Sequence, residues 1–153
     1  MGSALVETIA IIAAGMMAGN ELCVSIVNAS LRKQDEHTRF TSGRAFAALF
    51  GAFMPFWYAA TLLLAGAVAF NLRASGTAAV LADVSALLWL LSIVYTVAAL
   101  VPINNRIAAW DWDTRPADWE QARQKWDALH TARVALLVTA LACLVLACLL
   151  ARA

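Results

Sequence analysis

Charged side chains are scarce in this chain. Asp, Glu, Lys and Arg make up 14% of its 153 residues, whereas about 25% is typical of soluble domains. A small globule has a large surface relative to its volume, so these charges are too few to solvate one. Hydrophobic residues account for 63% of the chain, which excludes intrinsic disorder. The net charge of +1 provides no overall basic field, so no nucleic-acid partner is expected.

Motifs of common catalytic sites are also missing. The chain has no Gly-rich phosphate loop and no nucleophile elbow. Its two histidines, His37 and His130, lack the paired spacing of a haem or dimetal centre. Its three cysteines have neither disulfide nor zinc-site spacing. The sequence therefore gives little support to any known cofactor class, and the alternative is a haem or a metal ion that would use His130 and Glu21.

Four stretches of the chain are long and apolar enough to cross a bilayer. A transmembrane helix needs about 20 apolar residues, because about 30 Å of hydrocarbon is crossed at about 1.5 Å per residue. Lipid offers the backbone no hydrogen bonds, so a chain of this size has to span as helices. We expect one all-α domain over residues 1–153, an integral membrane four-helix bundle with antiparallel helices. The expected spans are residues 5–31, 45–71, 80–104 and 131–151, with a loop and helix extension over 105–130.

Positive charge is unevenly distributed among the loops. Eight Lys and Arg residues lie near the ends of the spans on one side, whereas only Arg73 and Arg152 lie on the other. Positive loops stay in the cytoplasm, so both termini are expected on the non-cytoplasmic side, the periplasm if this is a bacterial inner membrane. Four tryptophans crowd the cytoplasmic boundary, as in an interfacial aromatic belt: Trp110, Trp112, Trp119 and Trp126.

Residues typical of a helix start precede the fourth span. Pro116 suits the first turn of a helix, and Asp118 and Glu120 place negative charge near its positive end. The fourth helix is therefore expected to begin near Pro116 and to run about 50 Å to Ala151. This length exceeds the bilayer, so its first turns are predicted to form a cytoplasmic collar.

Glu21 is the most unusual residue of the chain, because it lies inside the first span. A carboxylate at mid-membrane costs about 2.5–3.5 kcal/mol on insertion scales, so such groups normally face the bundle interior and mark a function. The structural alternative is a protonated glutamic acid bonded to a neighbouring helix. Asn20 adjoins Glu21, and Asn28 lies seven residues further along on the same helix face.

One face of the fourth helix carries a second polar group. Trp119, Trp126, His130 and Arg133 recur at spacings of seven, four and three residues. They share one face, which is expected to look into the bundle. Histidine titrates near neutral pH, and with Arg133 one turn deeper we favour a catalytic role for His130 over a packing role. Asp127 either orients the imidazole or pairs with a loop cation.

Counting depth from the charged boundaries predicts a slot that opens near the cytoplasmic rim. Glu21 would lie roughly 16 Å deeper than the mouth that holds His130 and Arg133, so a direct Glu21–His130 bond is not expected. Pro55 interrupts the second span and is expected to widen the slot. The candidate catalytic residues are Glu21, His130 and Arg133. The candidate substrate-binding residues are Asn20, Asn28, Arg44, Trp57, Tyr58, Trp89, Asn104, Asn105 and Trp126, although packing or lipid contact explains the aromatic residues of spans two and three equally well.

Four runs of sequence together resemble one known family. They are Ala18-Gly19-Asn20-Glu21-Leu22, Met54-Pro55-Phe56-Trp57-Tyr58, Pro102-Ile103-Asn104-Asn105-Arg106 and Trp126-Asp127-x-x-His130-x-x-Arg133. With them the chain resembles the anthrone oxygenase-like family, small four-helix membrane proteins long catalogued as a domain of unknown function, and its first two runs resemble a bacterial subgroup. The resemblance implies oxidation of an anthrone, a polycyclic phenolic ketone, by O₂ to a quinone, often described as needing no added cofactor.

Three functions stay open at this point. The first is a membrane-embedded oxygenase for a lipophilic aromatic, in which His130 or Glu21 removes a proton. Arg133, Asn104 and Asn105 would then hold the enolate oxygen. The second is a haem- or metal-binding membrane redox protein. The third is a non-catalytic small transporter or assembly subunit, with Glu21 as a proton relay and, as in the other two cases, room for a homo-oligomer.

Overall fold

The fold consists of helices alone in the part of the chain that the structure describes. The computed structural model describes the backbone of residues 2–153. Its elements are α1 (Gly2–Leu31), α2 (Glu36–Leu72), α3 (Thr77–Tyr95), a π-helical segment (Thr96–Leu100), α4 (Val101–Ala109) and α5 (Trp119–Leu150). The predicted all-α class is confirmed.

Four helical stretches are long and apolar enough to cross a membrane. They are Ser3–Leu31, Phe53–Leu72, Thr77–Ala109 and Trp119–Leu150. Large apolar side chains cover the outside of the bundle, for example Met16, Phe56, Val97 and Leu149. A soluble monomer rarely exposes apolar patches of this size, whereas lipid covers them at no cost. The protein is therefore an integral membrane protein.

The four long stretches alternate in direction. The loop end of the bundle is formed by residues 32–35 and 110–118, and the terminal end holds residues 73–76 and the two chain ends. An ion pair between Arg152 and Glu7, 2.8 Å apart, joins α1 to the residues after α5 at the terminal end. The predicted antiparallel bundle is confirmed.

Local contacts explain where two of the helices begin. α2 starts at Glu36, before the expected span of residues 45–71, because Asp35 caps it by accepting hydrogen bonds from the Thr38 amide at 3.0 Å and the Thr38 hydroxyl at 2.7 Å. α5 starts at Trp119 rather than near Pro116. Its preceding residue, Asp118, makes no side-chain cap and instead binds Arg106 at 3.2 Å.

Small residues let the helices approach closely in the terminal half of the bundle. Ala14, Ala65, Ala82 and Ala140 come from four different helices, and all four are buried in the core. The Ser85 hydroxyl donates to the Ala140 carbonyl at 2.8 Å, which ties α3 to α5. Small side chains and this hydrogen bond therefore hold the helices together in the terminal half of the bundle.

The third span changes its helical geometry half-way along. In the π-helical segment the Val101 amide donates to the Thr96 carbonyl, five residues back rather than four. Pro102 explains the position, because proline lacks an amide proton and its ring clashes with the carbonyl four residues before it, that of Ala98. The wide turn places Thr96, Val97 and Leu100 beside α2 and α5.

The four tryptophans of the loop end face inwards to different extents. Trp119 and Trp126 are buried. Phe40 of α2 packs against Trp110, Trp112 and Trp119, with ring centroids 5.4 to 6.3 Å apart. The aromatic side chains therefore close the loop end from within.

Candidate functional site

The carboxylate of Glu21 lies at the centre of a buried polar cluster. Only 1% of Glu21 is exposed. Its Oε1 atom accepts a hydrogen bond from the Tyr58 hydroxyl at 2.7 Å, and its Oε2 atom accepts one from Arg133 Nη2 at 2.7 Å. Three helices, α1, α2 and α5, therefore meet at one carboxylate, which is paired with a cation as a buried charge requires.

His130 contacts Glu21 directly, so the expectation of no contact was wrong. His130 Nε2 lies 3.1 Å from the Glu21 carbonyl oxygen, and Nδ1 lies 3.5 Å from Glu21 Oε2. His130 is eleven residues into α5, about as far from the loop end as Glu21 is in α1. The two residues therefore share one depth, whereas the sequence count placed His130 at the membrane boundary.

The hydrogen bonds of His130 define its tautomer. Nδ1 lies 2.9 Å from Arg133 Nη2, which can only donate, so Nδ1 accepts. Nε2 faces the Glu21 carbonyl oxygen, which can only accept, so Nε2 carries the proton. The imidazole is thus neutral and both nitrogens are occupied. Trp126 stacks on the ring, with centroids 4.6 Å apart and planes 10° from parallel, and covers one of its faces.

Two nitrogen atoms of Arg133 make weak hydrogen bonds or none within the described part of the chain. Its Nη2 atom serves Glu21 and His130, whereas Nη1 makes only a long contact of 3.4 Å to the Thr96 hydroxyl. Its Nε atom is buried and has no partner among the described residues. Nη1 is therefore the donor that a ligand oxygen beside Arg133 can use, whereas Nε has no exposed surface.

A cavity of about 200 Å³ adjoins this cluster. Glu21, Tyr58 and Arg133 form one part of its wall, and apolar side chains form most of the rest. The apolar lining comes from α1, α2, the third span and α5: Val24, Phe46, Ala47, Phe50, Met54, Pro55, Ala59, Ile93, Val97, Leu100, Val101 and Trp126. The site is therefore an apolar cavity with a strongly polar wall at Glu21, Tyr58 and Arg133.

The cavity opens sideways between α2 and the third span. Pro55 and Ala59 of α2, Val97 of the π-helical segment and Val101 of α4 line the cavity and are also exposed on the outer surface. The lateral opening lies beside Pro55, near the middle of α2, whereas Asn28 and Arg123 extend the cavity lining towards the loop end, where the mouth was expected. The lateral opening faces the apolar surface that lipid covers.

A family model described as anthrone oxygenase matches residues 44–143 of the chain. The chain belongs to the anthrone oxygenase family. The match covers Tyr58, Trp126, His130 and Arg133, whereas Glu21 lies before it. No curated protein and no solved structure matches the chain.

In this anthrone oxygenase family member, six predicted site residues line the cavity: Glu21, Asn28, Tyr58, Asn104, Trp126 and Arg133. His130 stands behind them, in contact with Glu21 and Arg133. Asn20 is half-buried, and its Nδ2 atom has no partner in the described part of the chain. The other four predicted binding residues do not line the cavity.

Arg44 and Asn105 are exposed near the loop end, and Arg44 is 3.9 Å from Asp111. Trp57 packs against Phe53, and Trp89 is fully buried beside Tyr58 with ring centroids 6.1 Å apart. These side chains do not line the cavity, so they act on it only through the helices that carry them.

Asp127 pairs with a loop cation, which resolves the two alternatives for this residue. Its Oδ2 atom accepts from Arg32 Nε at 3.1 Å and lies 2.9 Å from Arg32 Nη2. No hydrogen bond joins Asp127 to the His130 ring within residues 2–153. Arg133 and the Glu21 carbonyl orient the imidazole instead.

Besides the apolar lining, sequence reasoning overlooked three residues of this anthrone oxygenase family site: Thr96, Gly43 and Arg123. A signal for Arg123 was present. Arg123 falls between Trp119 and Trp126 at spacings of four and three, on the face that continues to His130. That whole face is buried or half-buried, which confirms its predicted inward orientation.

The donor set of the site does not fit a metal or haem iron. Both ring nitrogens of His130 are taken, and His37 lies in the loop-end region against Trp112 at 4.8 Å. Over residues 2–153 no group of three or more His, Cys, Asp or Glu side chains is arranged to hold a metal ion.

Proposed function

We propose that the chain is an oxygenase that oxidises a flat, lipophilic phenolic ketone of the anthrone class with O₂ inside a bacterial inner membrane. Family membership and the integral membrane fold support this assignment. The observation that carries it is the Glu21–Arg133 pair, which stands with Tyr58 in the wall of an apolar cavity open to the lipid-facing surface. Such a site brings acid–base groups to a substrate that dissolves in the bilayer.

The size and lining of the cavity support a compact aromatic ligand. Pockets for drug-sized ligands usually have about 300–1,000 Å³, so a cavity of about 200 Å³ suits a smaller molecule. Phe46, Phe50 and Trp126 offer aromatic surfaces for a flat ring system. The substrate diffuses within the bilayer and passes sideways between α2 and the third span.

The overall reaction converts a methylene group of the substrate to a carbonyl group. One CH₂ and one O₂ give one C=O and one H₂O, so the carbon is oxidised by four electrons and O₂ is fully reduced. Loss of a proton from the CH₂ leaves a carbanion conjugated with the ketone, an enolate. The enolate passes an electron to O₂, the two radicals combine to a peroxide, and loss of the second C–H proton with O–O cleavage releases water.

Glu21 accepts the first proton in this proposal, directly or through the Tyr58 hydroxyl. Glu21 and Tyr58 both line the cavity, and the Tyr58 hydrogen bond already points at the carboxylate. Nη1 of Arg133 holds the enolate oxygen, whose charge a dry site makes more sensitive to a nearby cation. His130 is a positioning residue, because it holds Arg133 and does not line the cavity.

The membrane orientation follows from charge. The loop end carries most of the Lys and Arg residues of the chain, including Arg32, Lys33, Arg106 and Arg115. We place that end in the cytoplasm and both termini in the periplasm.

Turnover of a simple anthrone tests the function. Purified protein in detergent is mixed with anthrone, and O₂ uptake is recorded together with formation of anthraquinone. Glu21→Gln is expected to lower the rate by at least about a hundredfold, the usual contribution of a general base. Glu7→Gln is the matched control, because Glu7 is also buried and paired with an arginine but lies at the terminal end. It is expected to retain the wild-type rate.

Two results would overturn the assignment. One is a wild-type protein that oxidises neither anthrone nor hydroxylated anthrones above the rate in empty micelles. The other is a Glu21→Gln variant that turns over as fast as Glu7→Gln. The alternative functions, a haem or metal protein and a transporter or assembly subunit, gain no support from a specific contact in the cavity.

A further inference from the structure

The main cavity has a second polar end that the proposed oxidation does not use. We call it the Arg123 pole; it consists of Arg123, Asn28 and Gly43, all of which line the cavity. Arg123 Nη2 lies 3.4 Å from Asn28 Oδ1, and its guanidinium carbon lies 5.7 Å from the centroid of the Trp126 ring. Placing an arginine in the wall of an apolar cavity costs free energy unless a negative charge balances it.

The guanidinium of Arg123 fits against a position that has no side chain. A Cβ atom on Gly43 would lie 2.7 Å from Arg123 Nη1 and 2.8 Å from its guanidinium carbon. These distances are shorter than any normal contact, so a larger residue at position 43 would push the guanidinium away. Glycine at this position therefore helps to set where the charge of Arg123 is held.

Within the described part of the chain, Arg123 has no salt-bridge partner of its own, and the nearby carboxylate of Asp127, which acts on it at longer range, is already paired with Arg32. A smaller cavity beside the pole is lined by three arginines, Arg32, Arg39 and Arg123, and by two carboxylates, Glu120 and Asp127. Arg39 binds Glu120 and Arg32 binds Asp127. Among the described residues no carboxylate lies within 4.0 Å of Arg123, although the other two arginines each have one.

The two polar ends are separated by an apolar wall. Glu21 and Asn28 are seven residues apart on α1, a rise of about 10 Å. Val24, Phe50 and Leu100 lie in the lining of the same cavity. A flat polycyclic ligand that reaches Glu21 with one ring can therefore place a substituent of its far ring at Arg123.

We infer that Arg123 binds a carboxylate carried by the ligand, so that the substrate class is a polycyclic aromatic acid. The acid group pairs with Arg123 while the ring carbon to be oxidised faces Glu21 and Arg133. The inference rests on the proposed function for the oxidised end of the ligand. The acid end stands on the geometry and the charge count of the pole and is testable by binding alone.

A pair of probes with the same ring separates charge from shape. Anthracene-2-carboxylate and its neutral amide, anthracene-2-carboxamide, are titrated into the full-length protein in nanodiscs of a zwitterionic lipid, and binding is read from probe fluorescence. Wild-type protein is expected to bind the carboxylate about tenfold more tightly, since a hydrogen bond to a charged group is worth roughly that factor. Arg123→Gln is expected to remove the preference and to leave carboxamide binding unchanged.

Two further variants keep the test decisive. Gly43→Ala should weaken carboxylate binding by displacing the guanidinium, with the charge retained. Arg115→Gln is the matched control, because Arg115 is an arginine near the same end that binds Glu36 at 3.0 Å and does not line the cavity. It should bind both probes as wild type does.

The inference is overturned if wild type binds the two probes equally, or if Arg115→Gln loses the preference as Arg123→Gln does. It is also overturned if phosphatidylglycerol added to the nanodiscs displaces the carboxylate from wild type, because the pole would then hold a lipid headgroup. Glu21→Gln separates the two proposals, since it should stop O₂ uptake but keep the carboxylate preference. A preserved preference without any anthrone turnover in wild type would reject the oxidation and keep the acid site.

Discussion

Arg133 Nη2 lies 2.7 Å from Glu21 Oε2 and joins α5 to α1 across 112 positions of the sequence. The same nitrogen lies 2.9 Å from His130 Nδ1. One guanidinium thus neutralises the carboxylate and fixes the imidazole. Each partner satisfies a group that is costly when left alone in an apolar bundle, so the three side chains depend on one another.

The first prediction concerns the stability of this pair. Removing one partner of a buried ion pair typically costs about 3–5 kcal/mol, whereas an apolar replacement of both is close to neutral. We expect Glu21→Met and Arg133→Met each to lower the free energy of unfolding by that amount, and the double variant to recover most of it. Denaturant unfolding in detergent, followed by circular dichroism, measures the three values. Single variants as stable as the double would show that the pair is not a coupled unit.

The second prediction separates a positioning role of His130 from a chemical one. A glutamine side chain offers one acceptor and a donor amide, so His130→Gln can still bind Arg133 and the Glu21 carbonyl. We expect His130→Gln to keep the oxidation rate within about tenfold of wild type, the value of roughly one hydrogen bond. His130→Phe, which keeps the ring but no hydrogen bond, should lose more. Equal losses in both variants, with an altered pH profile, would assign the imidazole a proton-transfer role.

The third prediction concerns the lateral opening. Val97 is 61% exposed and lines the cavity, whereas Val94, one turn earlier, is 56% exposed and does not. Val97→Trp is expected to block the opening and to raise KM for a lipophilic substrate several-fold with little effect on kcat. Val94→Trp is the matched control and should leave both constants unchanged. If the two variants behave alike, the substrate does not pass between α2 and the third span.

The fourth prediction concerns the cap of α2. The backbone amide of Thr38 and then its hydroxyl donate to Asp35, and these bonds hold the pKa of that carboxyl below its usual value. A lowered pKa means that the cap stabilises the fold above the unfolded-state value of about 3.9 and that its contribution disappears as the pH falls through the lower folded-state value. We expect Asp35→Ala to lower the thermal midpoint at neutral pH.

The difference between Asp35→Ala and wild type should shrink to zero in strong acid. Thermal unfolding of both proteins between neutral pH and strong acid measures it. Asp113→Ala serves as a control, because Asp113 is an exposed aspartate near the loop end that caps no helix. A pH-independent difference would show that Asp35 acts by some means other than its ionised carboxylate.

The fold and the inward face of α5 were predictable because they depend on local pattern. Apolar length defines the spans, and the spacing of Trp126, His130 and Arg133 determines that they share a face whatever the neighbouring helices do. The contact between Glu21 and His130 was not predictable in this way. The contact depends on the number of α5 residues that lie between the loop end and the site. The amino-acid composition does not show whether the first turns of a helix stand outside the membrane or are buried in the bundle.

Other parts of the site depend on how helices are rotated against each other. Ala59 and Val97 come from different helices, and nothing in their own sequences marks them as two sides of an opening. Arg123 was overlooked for a different reason. A charged residue near a loop is normally solvated, so the spacing that puts Arg123 on the face of Trp119 and Trp126 was outweighed. Its contact with Gly43 and the pairing of Glu120 and Asp127 with other arginines become visible only in the structure.

The π-helical segment Thr96–Leu100 contains one residue more than an α-helix would use for the same turn. Since an α-helix turns about 100° per residue, this surplus rotates everything that follows by about that angle relative to α3. This rotation determines the direction in which Ile103 and Asn104 face within the bundle. Shortening the chain by a single alanine here, Ala98 or Ala99, would leave hydropathy and span length nearly intact yet turn Asn104 away from the cavity. In this protein the number of residues in one helical turn, as much as their chemistry, determines which side chains line the cavity.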